Sequence, residues 1–361
     1  MSFRLTFLSV AGFAVAPLLV NETALAQSAT QADYLRDEMG PLPTPKWVTM
    51  KEQGPTNPQL KGMRAPHGVH INIVASDPTI IDPVGMTFAD DGSLYVLEWR
   101  EATDQVDTTY DVHYQDGTTA TVNRKTKNVN DDLKRLQDTN GDGKYDKAEL
   151  LMNDLEMPSS LLLHDGWLYF PSIGHVIRRR PSASGDGTWE EEEILRGMCG
   201  YHHHQVSGLT LSHDNWMYTT TGDDDNIAEG SDGSRATVLR TGAIFRSRPD
   251  GTQLSEYARG FRNPYRNVVF DELYNMFHVD NDQEDGSKFQ GVRLMHLLEG
   301  ADYGWRLEMG AKCCRTDFAR GAVFGERPGK MPSMLKTGRG APAGLLLYQG
   351  TAFPDQFRGL L

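Results

Sequence analysis

The sequence predicts an all-β protein built as a propeller or solenoid, and three observations carry that prediction. A unit made of one short strand, a tight polar turn and an aromatic-rich return strand recurs at spacings of roughly 40–70 residues. Long stretches with helical periodicity are scarce along the 361 residues. The 36 glycines and the hydrophobic fraction of 39% are typical of a soluble, turn-rich β protein. A β-sandwich with similar hairpins is the structural alternative.

Residues 1–26 have the pattern of a secretory signal peptide. Arg4 supplies a positive start, residues 5–20 are mostly apolar, and residues 24–26 give a small-x-small cleavage pattern. An uncleaved anchor helix is the alternative, although the apolar run is short for a membrane span and Pro17 interrupts it. We therefore expect an exported protein, periplasmic or extracellular, with no transmembrane segment after signal cleavage; membrane association stays open.

The rest of the chain divides into a leader and a propeller. Residues 27–65 are polar and proline-rich and predict an extended leader, whereas residues 66–361 predict the propeller, with its last blade incomplete. Within the propeller, residues 70–75 predict a first strand. Repeated hairpins are expected at residues 83–99, 158–170, 208–220 and 262–279, and a fifth begins at residues 341–348.

Other segments extend or interrupt these hairpins. Residues 176–179 and 242–246 predict strands that complete blades on their outer side. Residues 101–132 show little pattern and predict an inserted surface loop. Residues 184–193 end in four glutamates and predict an exposed turn with an acidic face.

The hairpin at residues 208–220 organises the candidate site. Three histidines and a glutamine precede its first strand, and Gly222 with three aspartates follows its second strand. Because the two strands of a hairpin run in opposite directions, both flanking segments lie at the same end. If every repeat occupies the same place in its blade, the corresponding segments share one mouth of the central channel. These segments contribute His202, His203, His204, Asp223, Asp224, Arg262, Asn263, Asp280, Asn281, Asp282, Glu98 and Arg100.

Charge and cysteine content limit the partners and the chemistry. The 36 Lys and Arg residues against 49 Asp and Glu residues give a net charge of −13, which argues against a nucleic-acid partner because phosphate binding needs cationic surfaces. The acidic clusters either bind calcium or form solvated surface. Cys199, Cys313 and Cys314 are an odd number, so not all of them can pair within the chain. The adjacent pair forms a strained ring, stays reduced, or links to Cys199.

Residues 138–149 match the calcium-binding loop pattern. Oxygen-bearing side chains stand at its first, third, fifth, ninth and twelfth positions, and a glycine stands at its sixth. The flanking segments lack amphipathic helices, so we expect a structural calcium loop inserted between strands, with a solvated acidic turn as the alternative. The expected metal-binding residues are Asp138, Asn140, Asp142, Lys144, Asp146 and Glu149.

The histidine run is compatible with two kinds of chemistry. His202, His203 and His204 can ligate a transition metal or supply a general base near neutral pH. A run of surface histidines is the alternative. Adjacent side chains on an extended segment point to opposite sides, so at most two of the three reach one site.

Polar residues on the neighbouring hairpin add charge to the same mouth. Arg262 precedes Asn263-Pro264, a turn whose fixed backbone holds a cation and an amide in place. A salt bridge between blades is the alternative role for this arginine. The acidic residues at 223–225 and 280–282 can bind a cation or sugar hydroxyls.

Motifs in the second half of the chain resemble a known family. The segments are HHQVSGL, DNWMYTTTGD, TGAIFRSRPDGTQLSEYARGFRNPYRNVVFD, HVDNDQEDG and LLEGADYGWR. They resemble the membrane-bound dehydrogenase family of β-propellers, which is related to the glucose/sorbosone dehydrogenases, six-bladed propellers that use pyrroloquinoline quinone (PQQ) and calcium. The resemblance extends from about residue 70 to the C-terminus and is most specific over residues 200–306.

The resemblance implies a six-bladed propeller that oxidises a sugar or an alcohol. The implied catalytic residues are His204, with His203 as a rival, and Arg262. The implied cofactor-binding residues are His203, Arg262, Asn263, Asp280 and Asn281. In the implied mechanism His204 removes the proton of the substrate hydroxyl while a hydride passes to the quinone. Arg262 then stabilises negative charge on the quinone oxygens.

This sequence departs from the family in two respects. The spacing from His204 to Gly208 differs by one residue from the family pattern, which makes His203 a rival of His204. Arg293 stands ahead of Asp302-Tyr303-Gly304-Trp305, where the quinone enzymes carry an acidic calcium ligand, which leaves open whether calcium lies beside the cofactor. The sequence contains no Cys-x-x-Cys-His haem motif, and a separate c-type cytochrome is a candidate electron acceptor. The alternative functions are a non-catalytic, calcium-stabilised carbohydrate- or protein-binding propeller and a hydrolase that uses the acidic channel mouth.

Overall fold

A computed structural model describes residues 52–54, 58–100, 107–113, 119–125, 131–200, 204–282, 291–307, 321–323, 329–338 and 340–361. The predicted signal peptide, His202, His203, Cys313 and Cys314 lie outside the described residues. Apart from two 3-10 turns, Pro58–Leu60 and Asp355–Phe357, the regular structure in the described ranges is β. In these ranges no helix is long and apolar enough to cross a bilayer.

The strands fall into short antiparallel runs along the chain. In order, they are β1 (Glu52–Gln53), β2 (Ala65–Pro66), β3 (Pro83–Phe88), β4 (Leu94–Glu98), β5 (Asp107–His113), β6 (Thr119–Lys125), β7 (Asp131–Gln137), β8 (Lys147–Leu155), β9 (Leu162–His164), β10 (Trp167–Ser172), β11 (His175–Pro181), β12 (Trp189–Arg196), β13 (Gly208–Leu211), β14 (Met217–Thr221), β15 (Asn226–Gly230), β16 (Arg235–Val238), β17 (Gly242–Ser247), β18 (Ser255–Phe261), β19 (Val269–Phe270), β20 (Met276–Asp280), β21 (Val292–Leu297), β22 (Ala301–Asp302), β23 (Trp305–Leu307), β24 (Gly321–Val323) and β25 (Leu335–Gly338).

Four consecutive sheets each contain a four-stranded antiparallel meander. Their strand orders are β3-β4-β7-β8, β9-β10-β11-β12, β13-β14-β17-β18 and β19-β20-β21-β25. Two of these sheets are extended by strands from the sheet that follows. The hairpin β15–β16, which lies between β14 and β17 in sequence, pairs with β12, and β22 adds to β18 in parallel.

The first strands of successive sheets lie side by side, which gives the propeller-like arrangement. β9 contacts both β3 and β13. Hydrogen bonds join the segments next to these strands: Trp99 Nε1–H donates to the Pro158 carbonyl at 2.6 Å, and the Ser159 hydroxyl donates to the Val206 carbonyl at 3.0 Å. The Thr220 hydroxyl donates to the Arg266 carbonyl at 2.9 Å. These bonds join each of the four sheets to the next one in sequence.

Side chains alternate between the two faces of each inner strand, so one strand contributes to two cores. On β10, Trp167 and Tyr169 pack in the cluster shared with the third sheet, whereas Leu168 and Phe170 pack in the cluster shared with the first. A third cluster, which includes Phe261 and Met295, joins the third and fourth sheets. Burying one such side chain contributes about 1.5–3 kcal/mol, so these inter-sheet clusters hold the sheets together.

The sequence predicted most of these pairings correctly. The four hairpins expected at residues 83–99, 158–170, 208–220 and 262–279 form as β3–β4, β9–β10, β13–β14 and β19–β20. The outer strands expected at residues 176–179 and 242–246 form within β11 and β17. The all-β prediction is confirmed, and the described part of the chain contains four sheets of four or more strands besides three two-stranded ones.

Two expected strands are wrong. Residues 70–75 alternate as a strand would, but they carry no ladder; the Val74 carbonyl accepts the Tyr145 N–H at 2.9 Å. At residues 341–348 the structure has only an isolated bridge between Tyr348 and Leu360 in place of a fifth hairpin. A segment with strand-like alternation forms a strand only where a neighbouring strand is available to pair with it.

The surface loop expected at residues 101–132 is also a misassignment. Residues 107–113 and 119–125 form the β5–β6 hairpin, and Asp131 and Asp132 already belong to β7. The segment contains several threonines, a tyrosine and valines, all of which favour strands. The alternation of apolar and polar residues in each strand is too weak to identify a strand from the sequence, and the hairpin is recognised only from the pairing of β5 with β6.

The acidic face expected at residues 184–193 is an ion-paired ladder. In the β11–β12 register, three arginines stand opposite three glutamates. The pairs are Arg178–Glu192, Arg179–Glu191 and Arg180–Glu190. Two of these arginines stack on Trp167, with their Cζ atoms 4.4 Å and 4.3 Å from the ring centroid. The glutamates therefore neutralise a basic strand and do not present a bare acidic surface.

Candidate active site

In the first and fourth sheets, a carboxylate at the end of the second strand accepts hydrogen bonds from the segment that precedes the first strand of the same sheet. In the first sheet, Glu98 Oε1 accepts the Ile81 N–H at 2.9 Å. In the fourth sheet, the Asp280 carboxylate accepts the N–H groups of Arg262 and Asn263, each at 3.0 Å. These bonds satisfy backbone donors that would otherwise be buried without partners.

In the third sheet the corresponding carboxylate holds a histidine side chain. Asp223 Oδ1 lies 2.6 Å from His204 Nδ1, and both side chains are almost completely buried. Because a carboxylate only accepts hydrogen bonds, Nδ1 carries the proton and Nε2 is the basic nitrogen of the neutral ring. The pair is therefore arranged as a base and its orienting acid.

Gly222 makes this pair possible through a close backbone approach. Its N–H donates to the His204 carbonyl at 2.9 Å. A Cβ atom at this position would lie 2.1 Å from that carbonyl oxygen and 2.6 Å from His204 Cβ. Only glycine fits there, so the residue that directly follows the second strand also sets the position of His204.

The neighbours of these three carboxylates differ in chemistry. Lys134 Nζ lies 2.9 Å from Glu98, and Arg293 Nη2 lies 3.0 Å from Asp280. Asp223 Oδ2 accepts the Trp305 Nε1–H at 2.9 Å. In the first and fourth sheets the carboxylate thus meets a permanent cation, whereas Asp223 meets an imidazole and an indole. The third sheet, unlike the first and the fourth, places an imidazole against this carboxylate.

Arg262 lies beside this pair. It is buried, and its Nη1 donates to the carbonyls of Asn281 and Asp282 at 3.3 Å. Its Cζ atom is 6.0 Å from the centroid of the Trp305 ring. The structure therefore brings together His204, Arg262 and Asp280, which the sequence predicted at one mouth.

Behind Arg262 lies a buried charge cluster centred on Arg293. Its guanidinium bonds both oxygens of Asp282, one oxygen of Asp280, and the carbonyls of Tyr303 and Gly260. Burial raises the pKa of the Asp282 carboxyl, an effect that the Arg293 guanidinium opposes. The cluster fixes the segment whose carbonyls hold Arg262.

Asn263 and Asn281 adjoin Arg262 on the same side. The Asn281 N–H donates to the Asn263 carbonyl at 3.3 Å. Asn263 Oδ1 is buried and accepts no hydrogen bond from the described residues, so an acceptor is available there for a donor on a bound group. His203, the other residue assigned to cofactor binding, lies outside the described ranges.

The remaining residues predicted at the mouth have other neighbours. Glu98 and Arg100 belong to a cluster on the first sheet, where Arg100 Nη1 is 3.6 Å from Glu98 Oε2. Asp224 Oδ1 accepts the Asp225 N–H at 2.9 Å, so it stabilises its own turn.

The loop at residues 138–149 folds around its first carboxylate. Asp138 accepts the N–H groups of Gly141 and Gly143 at 2.7 Å and 2.8 Å. Asn140 Oδ1 accepts the Asp142 N–H, and Asp142 Oδ1 accepts the Lys144 N–H, both at 2.9 Å. The backbone thus wraps inward, as a calcium loop requires.

The second half of that loop is arranged differently. Asp146 accepts the Thr139 N–H and hydroxyl at 2.7 Å and 2.6 Å, and Glu149 stands opposite Arg135 in the β7–β8 ladder. Within the described ranges, no group of three or more His, Cys, Asp or Glu side chains is placed to hold a metal ion. Calcium binding by this loop therefore stays a prediction.

Sequence reasoning placed Asp223 at the mouth without identifying it as the partner of His204, and it missed two other contributors. Trp305 is part of a resembling segment, and Arg293 is a departure from the family pattern. The partner of Asp223 on Trp305 is 82 residues away, so no local pattern connects them. Gly222 next to Asp223 was the one local signal, because a glycine directly after a buried strand indicates a close approach.

Comparison with known proteins places the chain in a family. The model of a domain of unknown function, DUF7133, matches residues 55–360. The chain belongs to this family. No curated protein sequence matches the DUF7133 chain.

Solved structures similar to this DUF7133 chain include three sugar dehydrogenases. The PQQ-bound aldose sugar dehydrogenase of Streptomyces coelicolor gives a TM-score of 0.44 at 16% identity over 70% of this chain and 71% of that chain. The PQQ domain of the Coprinopsis cinerea pyranose dehydrogenase gives 0.46 at 13% identity over 73% and 60%. The soluble aldose sugar dehydrogenase of Escherichia coli gives 0.44 at 13% identity over 78% and 79%.

Proposed function

We propose that this chain is an exported, six-bladed, PQQ-dependent dehydrogenase that oxidises a hydroxyl group of a sugar or alcohol. The observation that carries the proposal is the buried His204–Asp223 pair, joined through Trp305 to the Arg262 guanidinium. A base and a fixed cation at one place are the two groups that removal of a hydroxyl proton and stabilisation of an anionic product require.

His204 would act as the base. Its Nδ1–H is fixed by Asp223, so Nε2 has a lone pair with which to accept the proton of a substrate hydroxyl. Asp223 then stabilises the imidazolium that forms, in the manner of the orienting acid of a catalytic triad. Burial strengthens this attraction because the local dielectric constant is low.

The residues around Arg262 fit the cofactor. PQQ, when bound, supplies the acceptor for the hydride that leaves the substrate carbon. Arg262 would place positive charge beside it, and Asn263 Oδ1 offers a buried acceptor. His203, Asp280 and Asn281 complete the proposed cofactor-binding set. A c-type cytochrome is the proposed electron acceptor.

The direct test is reconstitution with PQQ and calcium, followed by dye-linked oxidation of a panel of aldoses and alcohols. We expect His204→Ala to lose about 10²–10⁴-fold in rate, the usual contribution of a general base. His213→Ala is the matched control, because His213 lies in the turn at the opposite end of the β13–β14 hairpin. Arg262→Ala should weaken PQQ binding as well as turnover.

The contrary result is a folded protein that binds no PQQ in a titration and oxidises no compound of the panel. Glycan binding without turnover would then favour the alternative, a non-catalytic, calcium-stabilised carbohydrate-binding propeller. The acidic residues beside the site suit sugar hydroxyls in either case.

A further inference from the structure

Trp305 reaches the candidate site from a different sheet. It begins β23, which lies in sequence between β21 and β25 of the fourth sheet, whereas Asp223 follows β14 of the third. Its indole is 1% exposed, and Nε1–H donates to Asp223 Oδ2 at 2.9 Å. The other oxygen of this carboxylate bonds His204. Both oxygens of Asp223 are therefore engaged.

The segment that carries Trp305 is fixed on the third sheet by its backbone. The Leu307 N–H donates to the Arg240 carbonyl at 2.9 Å, and the Tyr303 N–H donates to the Arg259 carbonyl at 2.9 Å. β23 also pairs with β24, with Trp305 opposite Val323. Bonds on both sides of Trp305 leave its indole little freedom to move away from Asp223.

We propose that Trp305 is a positioning residue that holds the Asp223 carboxylate with its N–H and supports Arg262 with its ring, and thereby sets the basicity of His204. The naming of His204 as a catalytic base rests on the proposed function. The hydrogen bond and its effect on the imidazole are properties of the chain alone.

The physical reason is charge sharing on one carboxylate. A donor on Oδ2 withdraws part of the negative charge that attracts a proton to His204. It also prevents rotation of the carboxylate, so the bond to Nδ1 keeps its direction. The other charged groups on this side are Arg262, Asp280, Asp282 and Arg293. The Arg293 guanidinium bonds the carboxylates of Asp280 and Asp282, whereas Arg262 donates its backbone N–H to the Asp280 carboxylate and Nη1–H to the Asp282 carbonyl.

The test is Trp305→Phe, which keeps an aromatic ring and removes the N–H. We expect the protonation midpoint of His204, followed by the NMR shifts of its imidazole, to move up by about 0.5–1 pH unit, the effect of one lost hydrogen bond. His204→Gln assigns the resonance. Trp216→Phe is the control, because Trp216 stacks on Arg248 at the turn end of its hairpin, and it should leave the midpoint unchanged.

An unmoved midpoint in folded Trp305→Phe overturns the proposal. A second measurement on the unaltered protein covers the case in which the variant does not fold. The indole N–H resonance of Trp305 should titrate with the His204 midpoint and lose that response in His204→Gln; a constant resonance also overturns the proposal. Neither measurement involves PQQ, so failure of the proposed dehydrogenase activity is a separate result.

Discussion

His278 shows how a single buried side chain makes stability depend on pH. It is completely buried on β20, and its Nδ1–H donates to the Asn267 carbonyl at 3.0 Å. Burial lowers the pKa of this imidazole from 6.5, although Asp280 opposes the shift. The folded protein therefore keeps His278 neutral at pH values where the unfolded chain binds a proton.

The sign of the effect follows from this difference in proton uptake. The free energy of unfolding should fall as the pH drops below about 6.5, by at most about 1.4 kcal/mol per pH unit. We expect His278→Asn, whose amide can still donate, to show a smaller loss than the wild type between pH 7.5 and pH 5.5 in thermal unfolding. If the wild type and His278→Asn lose the same stability between pH 7.5 and pH 5.5, groups other than His278 cause the acid sensitivity.

At the scale of elements, Arg179 connects two sheets through ion pairs. It bonds Glu191 on the neighbouring strand β12 at 2.6 Å and Asp154 on β8 of the first sheet at 2.7 Å. Its side chain is 14% exposed, whereas that of Arg180 in the same ladder is 45% exposed. Ion pairs contribute more where less water screens them.

We expect Arg179→Met to lower the free energy of unfolding by about 1 kcal/mol. Arg180→Met, the matched control one position along the same strand, should cost less than half of that. The difference between the variants should shrink in 1 M salt, as measured by urea unfolding. If the two variants lose the same free energy of unfolding, the ion pair between Arg179 and Asp154 of the first sheet does not contribute to stability.

The loop at residues 138–149 gives a prediction for calcium. Its first half is wrapped around the half-buried Asp138, and the carboxylates of Asp142, Asp146 and Glu149 are exposed to solvent. If it binds calcium, the ion at a hundredfold excess over its dissociation constant should stabilise the fold by about 2.7 kcal/mol. Asp142→Ala should remove this response to calcium and chelator in a thermal melt. Asp186→Ala, in another exposed Asp turn, should retain it.

Local elements could be predicted because their partners are near in sequence. The hairpin β13–β14 pairs Gly208 with Thr220 across one short turn, and alternation plus turn residues are enough to find it. Trp305 and Arg293 could not be predicted as site residues, because they act on carboxylates through folded contacts that no periodicity records. The role of Asp223 likewise depends on which of three adjacent aspartates faces His204.

At the scale of the whole molecule, each sheet after the second covers an outer strand of the sheet before it. β15 pairs with β12, with Leu195 opposite Gly230, and β22 pairs with β18, with Ala258 opposite Ala301. Gly197 has a role in the first contact, because a Cβ there would lie 2.1 Å from the Ile227 carbonyl oxygen. These added strands protect edges that would otherwise be open for pairing with other chains.

In both cases the covering strand lies later in the sequence than the strand that it covers, so the two strands become available in a fixed order during synthesis. A ribosome releases the N-terminal sheets first, so β12 and β18 each emerge before the strand that covers them. A nascent chain that has passed Asp223 but not Trp305 lacks the indole donor to that carboxylate, and once β18 is complete it exposes the side of this strand where β22 will add. During this interval the open edge of β18 can pair with strands of other chains.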